Sequence, residues 1–244
     1  METTWLTVGL IGLVIGAVAF AFLGNTLAED KRHHAVVHFF VATIASVAYT
    51  AMLLDLGVTL NEGHRLLYAR YVDWSLTTPL LLLSLATVAT HGRDKERFTL
   101  LGGLIGADLM MVVTGTFAAL ATDWERWVWY TVSSGAFLAV AWLVWVPTRA
   151  DAERQGSARA GLFVRLATVL TALWTIYPVV FLLGPEGVDA FGGGTETACY
   201  AVLDVVAKTG FGLLLLTGVR ALEGREGAPV GRPVMDAVRP ARAA

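Results

Sequence analysis

Lys208 stands where a lysine is costly. The chain has three lysines; Lys31 and Lys95 lie in charged stretches, whereas Lys208 interrupts an apolar run from Thr197 to Leu216. A lysine at mid-bilayer costs at least ~3 kcal/mol on insertion scales, so one retained there normally has a task. Asp204 precedes it by four residues and shares its helix face. A buried amine beside a buried carboxylate is either a structural ion pair or a lysine that forms a Schiff base with a carbonyl compound, the carboxylate serving as counter-ion. A second group of the same kind is Arg70-Tyr71-Val72-Asp73-Trp74-Ser75-Leu76-Thr77-Thr78-Pro79. In a helix, Arg70 and Thr77 share the face of Asp73. Two carboxylates, one arginine and one amine nearly neutralise each other, which makes joint burial tolerable. Trp174, Tyr177, Pro178 and Phe181 recur at i, i+3, i+4 and i+7. Such a stripe suits ordinary packing, and beside a buried lysine it also suits the wall of a slot for a long apolar ligand.

The elements that must position these groups are membrane helices. Of 244 residues, 56% are hydrophobic and 16% charged, with a mean hydropathy of +0.63; soluble domains carry about 25% charged residues. Seven apolar runs, at 4–24, 35–54, 68–90, 98–121, 127–147, 161–183 and 197–219, are long enough to cross a bilayer. The expected fold is all-α, a bundle of seven transmembrane helices in one domain over residues 1–222, with a disordered tail at 223–244 rich in Gly, Pro and Arg. The first run has an acidic flank and is too long for a signal peptide, so it is expected to stay as a helix. Apart from Arg70 and Lys208, the 18 lysines and arginines divide fourteen to two between the two sides, only Arg65 and Arg126 lying on the side of the N-terminus. The positive-inside rule then puts the N-terminus outside and the C-terminus in the cytoplasm of a multi-pass cell-membrane protein. Asp73 and Asp204 both fall outward of Lys208. A single cysteine, Cys199, excludes a disulfide framework or cysteine metal site within one chain, no metal site is expected, and no motif or basic stripe for nucleic acid is present.

Two motifs carry a resemblance over nearly the whole chain: Arg70-Tyr71-x-Asp73-Trp74-x-x-Thr77-Thr78-Pro79, and Leu203-Asp204-x-x-x-Lys208-x-Gly210-Phe211-Gly212, with Trp174-x-x-Tyr177-Pro178 between them. The chain resembles the microbial rhodopsins, in their bacteriorhodopsin-like proton-pump branch. The resemblance implies all-trans retinal bound covalently as a protonated Schiff base at Lys208. It implies Asp73 as counter-ion and primary proton acceptor, Asp204 as second counter-ion, Arg70 as gate of the outward path, and a hydrogen bond from Thr77 to Asp73. Tyr49 and Tyr177 match tyrosines that bond the second aspartate, and Trp74 and Trp174 match the pair that sandwiches the polyene. Thr78, Leu81, Met111, Gly115, Ser133, Ser134, Phe137, Pro178 and Phe181 match further positions of the retinal pocket, with Asp108 nearby. Glu186 and Glu196 match a pair that releases protons outward, against the plain alternative of two solvated loop glutamates. Tyr130 fills a position that is small in relatives carrying a carotenoid antenna, which argues against one here.

The departure from the pattern lies on the inner side. The proton donor of the bacteriorhodopsin type is a carboxylate eleven residues after the acceptor, ~16 Å along a helix, and here that residue is Ser84. Serine cannot supply a proton by titration near neutrality. His38, eleven residues before Tyr49 on a neighbouring helix running the other way, falls at the same depth and titrates in the useful range. A His38–Ser84 relay stands against a histidine that only makes a local hydrogen bond. The resemblance thus implies a light-driven outward proton pump, a transporter and not an enzyme, whose partners are the bilayer and protons and whose assembly is a homo-oligomer, trimer or pentamer. The alternative is a sensory rhodopsin signalling to a transducer. The missing donor favours it, while Ala207, where transducer-coupled sensors carry threonine, and the Glu186–Glu196 pair speak against it.

Overall fold

The computed structural model describes residues 1–90 and 95–226. The helices are α1 (Glu2–Leu23), α2 (Arg32–Leu53), α3 (Ala69–Ala89), α4 (Lys95–Leu120), α5 (Asp123–Leu143), α6 (Arg149–Arg154), α7 (Ser157–Leu183), α8 (Gly193–Asp204) and α9 (Phe211–Glu226). A π-helical turn, Val144–Thr148, joins α5 to α6, and another, Val205–Gly210, joins α8 to α9. The result is seven spans, each long and apolar enough to cross a membrane. Helices suit that setting because each backbone N–H and C=O is satisfied within its own segment. The helices overrun the apolar runs of the sequence: the fifth span begins at Asp123 and continues to Arg154, and the seventh begins at Gly193. Helical hydrogen bonding is not confined to the apolar slab, and charged residues extend it on either side. The last helix reaches Glu226; the tail expected from residue 223 lies, from 227 onward, outside the described residues.

The spans form a closed ring. α1 packs on α2 and α8, α2 on α3, α3 on α4 and α7, α4 on α5, α6 on α7, and α7 on α8 and α9. The closing contact is tight because α1 presents glycines. A Cβ on Gly12 would come 2.8 Å from Val205, and one on Gly16 would come 2.2 Å from Thr209 Oγ1. The Thr209 hydroxyl donates to the Gly12 carbonyl at 3.3 Å. α1 therefore braces the π turn that carries Lys208.

One element falls outside an all-α description. Thr59–Asn61 (β1) and His64–Leu66 (β2) pair as an antiparallel hairpin. Its two-residue turn places Glu62 and Gly63 at φ 50° and 84°, as a type I′ turn requires. Asn61 Nδ2 donates to the Ala119 carbonyl at 2.8 Å, and Arg126 pairs with Glu62 and donates to the Ala121 carbonyl. Arg65 pairs with Asp55 at 2.7 Å and Glu2 at 3.5 Å. The hairpin thus lies across one end of the bundle, called the hairpin end below.

Candidate functional site

α3 and the α8–α9 span meet at the centre of the bundle with their charged residues facing. Lys208 Nζ donates to Asp73 Oδ2 and to Asp204 Oδ1, both at 2.7 Å. The lysine side chain is 2% exposed and both carboxylates 0%. The π turn sets this geometry: it adds a residue to the turn at Lys208, a distortion that recurs at functional sites in helices.

The two carboxylates differ in their other partners. Asp204 accepts three further hydrogen bonds, from Tyr49 Oη at 2.8 Å, Tyr177 Oη at 3.0 Å and Trp74 Nε1 at 3.1 Å. Asp73 Oδ1 is buried and, among the described residues, has no hydrogen-bond partner. The Thr77 hydroxyl donates to the main-chain carbonyl of Asp73 at 2.9 Å. Arg70, 2% exposed, lies over the ring of Tyr200 at 4.4 Å. Its charge acts on Asp204 on one side and Glu196 on the other, so it stands between the lysine site and the hairpin end. There Glu186 and Glu196, 7% and 4% exposed, bring their carboxyls together. Burial rules out two independently solvated loop glutamates.

From Lys208 a cavity of about 110 Å³ crosses the bundle to α5. Its walls include Trp74, Thr78 and Leu81 of α3, Met111 and Gly115 of α4, Ser133, Ser134 and Phe137 of α5, and Trp174, Tyr177, Pro178 and Phe181 of α7. Tyr49 does not line it: its hydroxyl is committed to Asp204, so its place is in holding that carboxylate and not in the cavity wall. The sequence reading did not assign Tyr71, Val112, Ala118, Tyr130, Tyr200 or Ala207 to the wall. Tyr200 could have been found one turn before Asp204 and Ala207 directly before Lys208, and Val112 and Ala118 flank Met111 and Gly115 on the same helix. Tyr130 stacks on Phe181 with centroids 5.4 Å apart and donates to the Pro178 carbonyl at 3.2 Å, closing the α5 side. Asp108, fully buried, accepts from the Thr78 hydroxyl at 2.8 Å beside the cavity.

On the other side of Lys208, toward the end opposite the hairpin, Ser84 Oγ lies 3.2 Å from His38 Nε2 and 3.2 Å from His34 Nδ1. His38 and Ser84 do meet. His34, the third member, was not singled out in the sequence.

An amine at one end of an apolar, aromatic-walled cavity, with two carboxylates against it, is a constellation that comparison with known proteins can place. The profile of the family described as Bacteriorhodopsin-like protein matches residues 1–222. The chain belongs to that family. It is 40% identical over 235 residues to archaerhodopsin-2 of Halobacterium sp. (strain aus-2), covering 93% of this chain and 88% of that one. It is also 32% identical over 225 residues to sensory rhodopsin-2 of Natronomonas pharaonis, covering 92% of each. Among solved structures, thermophilic rhodopsin from Rubrobacter xylanophilus superposes with a TM-score of 0.87 at 38% identity, covering 91% of this chain and 97% of that one. The light-driven proton pump of Coccomyxa subellipsoidea gives 0.82 at 33% identity, covering 88% and 96%.

Bacteriorhodopsin-like proteins are membrane-embedded and bind retinal covalently through a lysine Schiff base. The residues here fit that group. Lys208 is the lysine that opens on the cavity, the cavity is long, apolar and aromatic, and two carboxylates stand ready as counter-ions to a protonated nitrogen.

Proposed function

We propose that this chain is a light-driven proton pump that carries protons from the side of the C-terminus to the side of the N-terminus, outward by the distribution of its lysines and arginines. The observation that carries the reading is the unequal satisfaction of the two carboxylates at Lys208. Asp204 has four donors and is held as a fixed anion. Asp73 has Lys208 on one oxygen and nothing on the other among the described residues, so it is the carboxylate free to accept a proton.

Retinal on Lys208 would supply light absorption and an isomerisation that reorients the lysine nitrogen. The rest falls to the protein. The proton on Lys208 Nζ passes to Asp73 Oδ2, which at 2.7 Å is already within transfer distance. Arg70, between Asp204 and Glu196, answers the changed charge by favouring loss of a proton held between Glu186 and Glu196. Trp74 and Trp174 line opposite helices of the cavity and keep the chromophore in register while water is excluded. Pro178 leaves the Trp174 carbonyl without its helical partner, a weak point at which α7 can bend. The lysine nitrogen then regains a proton from the opposite end through His38 and Ser84, in place of a carboxylate donor.

The test is the light-induced pH change of an unbuffered suspension of expressing cells supplied with all-trans retinal, with and without a protonophore. Acidification abolished by the protonophore and absent in a coloured Asp73→Asn variant supports the reading. A coloured, photoactive protein that moves no protons refutes it and favours a sensor, the alternative suggested by Ser84 and by the likeness to sensory rhodopsin-2.

A further inference from the structure

His34 is a buried titratable group that the mechanism above leaves without a task. It lies one turn before His38 on α2, so both imidazoles face α3, with Ser84 between them. His34 is 3% exposed and His38 0%. The exposed ring of His33 packs against His34 with centroids 4.1 Å apart, and Lys31 and Arg159 also act on it electrostatically. At the far end, Phe20 and Phe211 enclose the His38 ring at 5.5 and 5.9 Å. His38 Nδ1 has no hydrogen-bond partner among the described residues. It faces Gly212, four residues beyond Lys208, where a Cβ would come 2.8 Å from Nδ1 and 2.5 Å from Phe20. The absence of a side chain at Gly212 is what lets that nitrogen pack against the α9 backbone one turn beyond Lys208.

We propose that His34 is the entrance of a proton wire, His34–Ser84–His38, which ends at His38 Nδ1 over Gly212 and feeds Lys208. This rests on the pump reading and deepens it. A serine hydroxyl has one proton to give and lone pairs to accept with, so it can link two imidazoles in one direction at a time. In the inward direction, a proton binds His34 Nε2, the Nδ1–H bond of His34 breaks as that proton joins Ser84 Oγ, and the original hydroxyl proton forms the N–H bond at His38 Nε2. His38 then gives up the proton on Nδ1. One proton enters, one leaves, and each group ends neutral. No carboxylate is needed, which accounts for a serine at the donor position.

A purely structural cluster would clip α2 to α3 through the same contacts, so the test needs a readout that clipping does not move. Late-cycle reprotonation of the lysine nitrogen is followed by flash photolysis of the retinal-loaded full chain, in H₂O and D₂O. The variants are His34→Gln, Ser84→Ala, their double variant, and His64→Gln, an exposed residue of the hairpin, as control. Each single variant is expected to slow reprotonation on the order of 10²-fold, the low end for a lost proton-transfer group. The double variant should be no slower than the slower single one, because a wire is cut only once. Added imidazole, a small proton carrier, should restore the rate in His34→Gln, and the solvent isotope effect should fall in every cut variant. Gly212→Ala, which keeps all three wire residues but crowds the His38 ring at Nδ1, should slow the same step. Multiplicative slowing in the double variant, wild-type kinetics in His34→Gln, or wild-type kinetics in Gly212→Ala would overturn the wire. Failure of the pump reading is seen separately, as a wild-type protein that moves no protons; a protein that pumps but ignores His34→Gln refutes the wire alone.

Discussion

Replacing Lys208 by methionine tests whether the central cluster is held by charge balance or by packing. The lysine amine lies 2.7 Å from Asp73 and from Asp204, with all three side chains at most 2% exposed. With Arg70, the cluster has two cations and two anions inside an apolar bundle. Lys208→Met keeps most of the side-chain volume and leaves two anions facing one cation. Removing one partner of a buried pair costs about 3–5 kcal/mol because the remaining charge is uncompensated. At 2–4 °C per kcal/mol for a domain of this size, the melting temperature should fall by roughly 6–20 °C.

The same geometry ranks the rescues. Lys208→Met with Asp73→Asn restores neutrality and disturbs little else, because Oδ1 of Asp73 has no partner among the described residues and, besides Lys208, only the Thr77 hydroxyl acts on the carboxylate. Lys208→Met with Asp204→Asn also restores neutrality, but Tyr49, Trp74 and Tyr177 lose the anion to which they donate. Hydrogen bonds to a charged group are worth about 1.5–3 kcal/mol each, partly recovered from the amide. The expected order of melting temperature is therefore Lys208→Met lowest, the Asp204→Asn double variant next, and the Asp73→Asn double variant highest. Thermal melts of the three retinal-free proteins in one detergent at one pH decide the matter. If neither double variant recovers, charge balance does not hold the cluster; if the Asp204→Asn double variant recovers more, the unequal satisfaction of the two carboxylates is refuted with it.

Gly16→Val should lower stability by about 1–3 kcal/mol, the usual cost of overpacking, since even a Cβ there lies 2.2 Å from Thr209 Oγ1. Because Thr209 follows Lys208 in the π turn, the absorption maximum of the retinal-loaded protein should move with it, and an unchanged spectrum and melt would count against the bracing role of α1. Arg126→Ala should cost about 1–2 kcal/mol by stranding the Ala121 carbonyl. Glu62→Ala should cost under about 0.5 kcal/mol, since its side chain is 42% exposed and exposed ion pairs contribute little. Thermal melts and limited proteolysis of the hairpin separate these two, and equal losses would contradict the assignment.

The centre of the site was legible because charge in an apolar helix is rare and helical spacing is rigid. Asp204 four residues before Lys208 could only share its face, and Arg70, Asp73 and Thr77 could only form one stripe. The seven spans were legible from apolar length alone. Their ends were not, because Asp123 to Arg126 and Arg149 to Arg154 extend helices beyond the apolar slab with residues that read as loop. The π turn at Lys208 leaves no mark in the sequence, since its residues read as continuous apolar helix; in the fold Val205 and Thr209 pack against the bare face of α1. The hairpin hid in a mixed stretch with strands of three residues each, too short for alternation to register. Tyr49, grouped with the retinal-binding residues by resemblance, makes the expected bond to Asp204 but does not reach the cavity wall, because rotation about the bundle axis cannot be read from spacing. His34 was passed over for another reason: beside Glu29, Asp30, Lys31 and Arg32 it reads as a surface histidine, whereas the fold buries it against Ser84 of α3.

The two sides of Lys208 are built differently, and under the proposed reading that difference sets direction. Toward the hairpin end, Asp204, Arg70, Glu196 and Glu186 follow one another closely enough that each acts on the next. Toward the opposite end, the His38 ring is flanked by Phe20 and Phe211, and a small cavity beside Trp174 is lined by Leu82, Leu85, Val140, Val144 and Leu170, with Thr171 its one hydroxyl. A proton crossing such a largely apolar stretch meets a large desolvation cost, so in the resting protein the charged connection runs to one side and the other side resists proton passage. Transport in one direction needs that connection to reverse once per cycle, after Asp73 has taken the proton and before the lysine nitrogen is refilled. The same stretch holds a small void, and Pro178 weakens α7 one turn from Trp174. The barrier that prevents back-leak and the region that must open are therefore the same residues. Substitutions that fill the small cavity should slow refilling without touching the first proton transfer, and those that enlarge it should raise leak in the dark.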